Sequence, residues 1–196
     1  FGIGADGLML LNKHERYDFE MVYYNADGAP GTMCGNAGRC LTKFAFDMGI
    51  HAHTYHFTAS DGEHEALIDE NGWIHLKMID VHEISKLNEA TVLNTGSPHY
   101  IKQVSGISNY DVFSEGKNIR YNDRYNQKGI NVNFVEWNGD ELFVRTYERG
   151  VENETFSCGT GVTAAAIAMS ADSTGLQETK IRTLGGSLLI KFNKLN

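Results

Sequence analysis

Two cysteines in this chain stand where a thiol can act as a base. Cys34 and Cys158 are each followed by glycine, in the segments TMCGNAGRC and TFSCGTGV, and each precedes a run with helical spacing. The first N–H groups of a helix have no partner within that helix, and they form the positive end of its dipole. Since both features stabilise a thiolate, we expect each cysteine to ionise more readily than an unperturbed thiol.

The same helix starts can also bind an anion. Gly35 and Gly159 carry no Cβ, so a carboxylate can come close to the backbone N–H groups beside each thiol. If the two sulfurs lie on opposite sides of one α-carbon, a thiolate can remove a proton from one face while a thiol delivers a proton to the other. The pattern therefore predicts inversion of an amino acid at its α-carbon, with the two helix starts stabilising the enolate-like intermediate.

The elements that position these thiols can be predicted from periodicity and turn signals. Helical spacing covers about residues 36–48, closed by Gly49, and about residues 160–171, with Gly175 a little beyond. Most of the remaining chain consists of short strand-like runs. Hairpin turns are predicted at three dipeptides, because both residues of each can adopt positive φ: Asn71-Gly72, Asn138-Gly139 and Gly185-Gly186. The sheets are therefore expected to be mainly antiparallel.

An internal repeat relates the two cysteines. At an offset of 124 residues and with no gap, YYNADG (23–28) lies over YERGVE (147–152), and MCGNAG lies over SCGTGV. Asn25 and Arg149 each precede their cysteine by nine residues. The repeat predicts an α+β fold of two pseudo-symmetric lobes, each a mainly antiparallel sheet around a central helix. We place the lobes at residues 1–80, with Cys34, and 81–196, with Cys158, joined by a polar stretch.

Composition excludes several classes of partner. The chain has 196 residues, 41% of them hydrophobic, and a net charge of −8 from 17 Lys and Arg against 25 Asp and Glu. Without a basic stripe it is not expected to bind nucleic acid. No apolar run reaches the length of a bilayer span, so we expect no membrane association and a cytoplasmic location. The first residue is Phe1 rather than Met, which suggests that residues have been left out before it.

Six motifs carry a resemblance to a known family. They occur in the order NADG (25–28), MCGNAGRC (33–40), GSPH (96–99), NVNF (131–134), YERG (147–150) and SCGTG (157–161), and together they resemble diaminopimelate epimerase. The resemblance implies a cofactor-independent, homodimeric isomerase that interconverts LL- and meso-diaminopimelate, an amino-acid substrate of lysine and peptidoglycan precursor synthesis. It also implies that Cys34 and Cys158 are the catalytic pair.

The resemblance assigns the other candidates to parts of the substrate. The distal, non-reacting end would be held by Asn25, Asn131 and Arg149, the arginine through a bidentate pair with the carboxylate. The reacting carboxylate would accept hydrogen bonds from the residues that open the two helices: Gly35, Asn36, Gly159 and Thr160. The reacting ammonium group would be bound by His99 and Glu148, which would also set the protonation of the thiols.

Three departures from the family pattern stand out. Ser97 occupies the place before Pro98-His99 where the family usually has Asn. The loop between Glu148 and Cys158 is one residue longer than the common form. The family's first strand with its GxGNDF segment, and the strand that usually follows the Gly-Gly hairpin, are both missing, so we expect the chain to be truncated at both ends.

Other functions stay open on the sequence alone. The chain could be a racemase of another amino acid on the same scaffold, a hydrolase with Cys158 as nucleophile and His99 as its base, or a binding protein without activity. We expect Cys40 to pack in the core. GIGADG (2–7) has the spelling of a dinucleotide motif but precedes a strand-like run, so no nucleotide site is expected. The histidines of HAHTYH (51–56) are expected to be solvated rather than to bind a metal.

Overall fold

The structure is a computed structural model that describes residues 4, 5, 7–25, 28–31 and 33–195. The chain divides into two compact units, the first ending at Met78 and the second beginning at Ile79. The described residues of the first unit form five strands and one helix: β1 (Gly7–Asn12), β2 (Phe19–Asn25), α1 (Gly35–Asp47), β3 (Tyr55–Ala59), β4 (Gly62–Ile68) and β5 (Ile74–Leu76).

The first unit is one sheet with its helix packed against it. The strand order is β1-β2-β3-β4-β5, with β2 and β3 parallel and the other described pairs antiparallel. Helix α1 buries Leu41 and Ala45 against the sheet, whose inner face includes Phe19 stacked on Phe57 at 4.8 Å between ring centres. This apolar face fixes where α1 begins, and hence where Cys34 lies.

The second unit is larger and also has one sheet. Its elements are β6 (Ile84–Lys86), β7 (Thr91–Asn94), β8 (Pro98–Gln103), a 3₁₀ turn (Ile107–Asn109), α2 (Val112–Arg120), β9 (Asn131–Asn138), β10 (Glu141–Glu148), β11 (Asn153–Thr155), α3 (Gly159–Ala168), β12 (Gly175–Thr183) and β13 (Gly186–Lys194). The strand order is β13-β12-β10-β9-β8-β7-β6, with β11 paired to β10. The parallel pairs are β8 with β9 and β10 with β12.

The internal repeat is present in the topology. The order β1-β2-α1-β3-β4 matches β9-β10-α3-β12-β13, with the short strand β11 inserted between β10 and α3. In both units the second strand of this series is antiparallel to the first and parallel to the strand that follows the helix. The offset also holds: β1 and β9 begin at Gly7 and Asn131 (131 − 7 = 124), and α1 and α3 at Gly35 and Gly159 (159 − 35 = 124). The predicted α+β fold of two similar units is confirmed.

Most local predictions are confirmed, but one helix end is wrong and one helix was missed. The three predicted hairpins form, and Gly49 ends α1 with a φ of 88°. Helix α3 ends at Ala168 rather than near residue 171, because the Ser170 hydroxyl and N–H both donate to the Ile167 carbonyl and tighten the last turn. Helix α2 was not predicted; its first turn is capped by Asp111, which accepts from the Ser114 N–H.

The structure also corrects the expectation for Cys40. Its side chain is exposed on α1, whereas Leu41 and Ala45 form the buried face of that helix. Of the GIGADG motif, residues 2, 3 and 6 lie outside the described part of the chain; strand β1 follows directly from Gly7, as expected. Among the described residues, no helix is both long enough and apolar enough to cross a bilayer.

Candidate active site

The two candidate catalytic cysteines have nearly the same backbone conformation at the same place in the repeat. Cys34 is the N-cap of α1 with φ −111° and ψ 122°, and Cys158 is the N-cap of α3 with φ −118° and ψ 113°. Each cysteine carbonyl accepts the first helical hydrogen bond at 2.9 Å, from Gly38 and Val162 respectively. Neither first turn carries an acidic residue, so both helix starts keep the positive end of their dipoles for an anionic ligand.

In the first unit, the sequence candidates lie at the end of β2 and the start of α1. Cys34 is half-buried, Gly35 is buried and Asn36 is partly exposed. The Asn36 side-chain oxygen accepts a hydrogen bond from Arg39 Nη2 at 2.6 Å. Burial lowers the pKa of the Arg39 guanidinium, and the neighbouring thiols of Cys40 and Cys34 act in the opposite direction. Asn25 is exposed at the last position of β2.

In the second unit, His99 joins several candidates in one buried cluster. The ring is fully buried, and its Nε2 lies 2.9 Å from Thr160 Oγ1 and 3.0 Å from Ser97 Oγ. Thr160 Oγ1 lies 3.4 Å from Cys158 Sγ. Through Thr160, the cluster therefore connects His99 to the thiol of Cys158 at the start of α3. Ser97, noted in the sequence as a departure from the family, is one of its members.

The protonation state of His99 follows from its burial. Burial, with a smaller effect from the positive charge of Arg149, lowers the pKa of His99 from 6.5 to about 3. The ring is neutral at pH 7, so one nitrogen carries a hydrogen and the other is an acceptor.

Asn131 links the His99 cluster to the backbone of Arg149. The Asn131 side chain accepts from the Arg149 N–H at 2.8 Å and donates to Ser97 Oγ at 3.0 Å. The Arg149 side chain donates to the Lys128 carbonyl at 3.2 Å. A Cβ added to Gly129, which has a φ of 73°, would lie 2.5 Å from Arg149 Cδ, so this glycine leaves the space that the arginine occupies.

Glu148 lies at the end of β10, next to Arg149. Its carboxylate accepts a hydrogen bond from the Thr155 hydroxyl at 2.8 Å. The loop that follows includes Glu152, whose φ of 56° is in the left-handed region. The Glu152 carboxylate accepts from the Gly150 N–H at 3.1 Å and from Arg120 Nε at 3.3 Å. These contacts hold the longer loop between Glu148 and the start of α3.

The structure adds residues that the sequence did not single out. Asn133 is fully buried, and its Nδ2 lies 3.0 Å from His99 Nδ1. The available signal was its alternation with Asn131 along β9, because residues i and i+2 of a strand share a face. Arg39 and Gly129 were also missed, since their contacts depend on side chains whose positions only the fold defines.

The histidine-rich segment at residues 51–56 contains His51, His53 and His56. Across the described ranges, no three His, Cys, Asp or Glu side chains are grouped closely enough to hold a metal ion.

Two solved structures share this fold. A PhzF-family phenazine biosynthesis protein of Bacillus anthracis matches with a TM-score of 0.74 over 97% of this chain and 77% of that one, at 12% identity. A hydroxyproline epimerase from Agrobacterium vitis matches with a TM-score of 0.66 over 97% of this chain and 68% of that one, at 14% identity. The chain thus shares its fold with a PhzF-family protein and with an amino-acid epimerase.

Sequence comparison narrows this class to one family. The profile described as diaminopimelate epimerase matches residues 1–81 and 91–196. A diaminopimelate epimerase of Flavobacterium psychrophilum is 50% identical over 100% of this chain and 77% of its own length. One from Chlorobaculum tepidum is 42% identical over 99% of this chain and 79% of its own length. The chain belongs to the diaminopimelate epimerase family, and it is an isomerase.

Proposed function

We propose that this protein interconverts LL- and meso-diaminopimelate without a cofactor, by proton transfer between the α-carbon and the thiols of Cys34 and Cys158. The observation that carries the proposal is the matched N-cap conformation of the two cysteines, at equivalent places in a duplicated fold. Membership of the diaminopimelate epimerase family supports diaminopimelate as the substrate.

The proposed reaction exchanges one proton on each face of the substrate. One thiolate removes the α-proton and becomes a thiol, while the opposite thiol protonates the other face and becomes the thiolate. The configuration is inverted and the two sulfurs have exchanged roles, so the reverse reaction uses the same groups. The two helix starts stabilise the carboxylate as it takes on enolate character, through N–H groups of Gly35, Asn36, Gly159 and Thr160.

The other candidates divide binding between the two ends of the substrate. Arg149, Asn131 and Asn25 hold the distal amino-acid group, so that its fixed configuration is recognised. Glu148 and His99 face the reacting ammonium group. Because His99 is neutral at pH 7, it adds no second positive charge beside that ammonium group.

Proton exchange in heavy water tests the proposal directly. We expect the protein to incorporate deuterium at the α-carbon of LL-diaminopimelate and to form the meso isomer, measured by proton NMR and chiral chromatography. The same assay is run with proline, hydroxyproline, lysine and glutamate. Exchange with one of these and none with diaminopimelate would identify a racemase of another amino acid. Tight binding without exchange would identify a binding protein.

A substitution at Gly129 is expected to weaken binding of the distal carboxylate. In Gly129→Ala the added Cβ would lie 2.5 Å from Arg149 Cδ and 2.9 Å from its Cγ, so the arginine side chain must move. We expect KM for diaminopimelate to rise about tenfold, a loss of about 1.4 kcal/mol of binding, with a smaller change in kcat. Steady-state kinetics measure both constants.

Gly139→Ala is the matched control for this substitution. Gly139 also has a positive φ, 65°, but an added Cβ would have no neighbour within 4 Å. Both variants carry the backbone strain of an alanine in the left-handed region, of order 1–3 kcal/mol. An equal rise of KM in the two variants would show that strain, rather than displacement of Arg149, is responsible.

Assembly and location are proposed from the family resemblance. We propose that the protein is a homodimer and acts in the cytoplasm, where an amino-acid precursor of this kind would be consumed. Sedimentation equilibrium at micromolar concentration measures the assembly state.

A further inference from the structure

In the hydrogen-bond cluster around His99, groups that can only donate or only accept determine which atom donates in each hydrogen bond. On the Nε2 side, the ring faces the hydroxyls of Ser97 and Thr160, at 3.0 and 2.9 Å. Each hydroxyl can either donate or accept, so this side of the ring does not determine which nitrogen carries the hydrogen.

The contacts on the Nδ1 side do determine which ring nitrogen carries the hydrogen. Asn133 Nδ2 lies 3.0 Å from His99 Nδ1 and 3.4 Å from the carbonyl oxygen of Tyr100. A carbonyl oxygen only accepts, so the amide nitrogen of Asn133 must be on this side, and Asn133 Oδ1 accepts from the Thr146 hydroxyl at 2.9 Å. The amide therefore donates to His99 Nδ1, and the neutral ring carries its hydrogen on Nε2.

A second amide fixes the direction at Ser97. Asn131 Oδ1 accepts from the backbone N–H of Arg149, so Asn131 Nδ2 is the atom that donates to Ser97 Oγ. Because His99 Nε2 carries a hydrogen, it is no acceptor for the Ser97 hydroxyl. The Ser97 hydrogen is left to donate to Thr160 Oγ1, 3.1 Å away.

Thr160 is where these hydrogen bonds converge. Its Oγ1 is the nearer acceptor for His99 Nε2–H, at 2.9 Å against 3.0 Å for Ser97 Oγ, which already accepts from Asn131. With the Ser97 hydroxyl also donating to it, both lone pairs of Thr160 Oγ1 are used. Its one hydrogen is then directed to Cys158 Sγ at 3.4 Å. A hydrogen bond donated to a sulfur favours its ionised form over the thiol.

We propose that Asn133 is a positioning residue that fixes the Nε2–H tautomer of His99, so that Thr160 donates to Cys158 and stabilises its thiolate before substrate binds. The inference rests on the proposed function, because it takes Cys158 as a proton-transfer residue. The inference goes beyond that function because it identifies the side chain that prepares Cys158 to act as a base in the resting enzyme.

Asn133→Asp tests the tautomer. Aspartate has nearly the same size, but its ionised carboxylate only accepts, so His99 Nδ1 must carry a hydrogen to pair with it. Long-range proton–nitrogen NMR spectra of the substrate-free protein distinguish the two forms, with His99→Gln identifying the His99 signals. We expect the Nε2–H pattern in the wild type and a protonated Nδ1 in Asn133→Asp. Asn138→Asp, an exposed position on the same strand, is the matched control and should keep the wild-type pattern.

The thiol is tested by alkylation. In a Cys40→Ser background, which removes the exposed thiol of α1, the rate of Cys158 modification by iodoacetamide is measured against pH by peptide mass spectrometry. We expect Asn133→Asp to slow the reaction at neutral pH about tenfold, because it removes a hydrogen bond to a charged group. Thr160→Val should slow it similarly while His99 keeps its hydrogen on Nε2.

Either of two results would overturn the inference. One is a wild-type spectrum with the hydrogen on Nδ1, and the other is an unchanged alkylation rate of Cys158 in Thr160→Val. The second variant keeps the test decisive if Asn133→Asp does not fold. The NMR and alkylation measurements are made without substrate, so they test the inference separately from the proposed function. They can contradict the inference while the protein still exchanges deuterium into diaminopimelate, and they can support it while no exchange occurs.

Discussion

Replacing either Cys34 or Cys158 with alanine is expected to slow epimerisation by about 10²–10⁴-fold, the usual contribution of a positioned acid or base. Each thiol acts once in every turnover, as base in one direction and as acid in the other, so the two variants should be similarly impaired. The measurement is the rate of meso-diaminopimelate formation from the LL isomer. Cys40→Ala provides the control, because this third thiol is exposed on the outer face of α1 and should be dispensable.

The same pair of variants distinguishes inversion from hydrolysis. A hydrolase with Cys158 as nucleophile would have little use for Cys34, and would form a covalent acyl-enzyme detectable by mass spectrometry. An active Cys34→Ala variant would therefore contradict the two-base mechanism, whatever the result for Cys158→Ala.

Acid is expected to destabilise the protein through His99 by about 4 kcal/mol between pH 6.5 and 3. The pKa of His99 is about 3 in the folded protein, against 6.5 for an unperturbed ring. Below about pH 6.5 the unfolded chain binds a proton at this residue that the folded chain does not, so stability falls as pH falls. About 2 kcal/mol of the loss is expected by pH 5, above the range in which most carboxylates titrate.

Urea unfolding at pH 7.5, 6 and 5 measures this slope. His99→Gln should remove the contribution of His99, whereas His75→Gln, at an exposed strand position paired with Asp69, should retain it. Equal slopes in the wild type and in His99→Gln would mean that His99 is able to take up a proton in the folded state.

The elements around the cysteines could be predicted because their signals are local. A Cys-Gly step opens α1 and α3, Gly49 closes α1, and each predicted hairpin has glycine at its turn. Helix α2 has no comparable signal in the sequence. Gly116 lies in its middle, and a glycine within a helix is less favourable than alanine by about 0.5–1 kcal/mol. It forms through tertiary packing: a Cβ at Gly116 would lie 2.4 Å from Tyr147 Cβ, so only glycine allows α2 to approach β10 this closely.

The motifs identified the candidate residues, but not the network that joins them. His99 lies opposite Asn131 because β8 and β9 are parallel neighbours, and Thr146 lies opposite Asn133 because β9 and β10 are antiparallel. Strands β8 and β9 are separated in the chain by α2 and its loops, so no local sequence pattern predicts the register of their pairing. The neutral state of His99 and the role of Asn133 depend on that register.

The two halves of the repeat differ in how much change they can accept. Helix α3 lies against six strands, and its residues Ala164, Ala165 and Ala166 are fully buried. A larger side chain at one of these positions would overpack the interior and lower the free energy of unfolding by about 1–3 kcal/mol. In α1, by contrast, Phe44 is exposed to solvent, as is Met48 directly after the helix. The helix that begins at Cys158 is therefore sterically confined to small side chains at these positions, whereas the helix that begins at Cys34 has room for larger ones along its exposed surface.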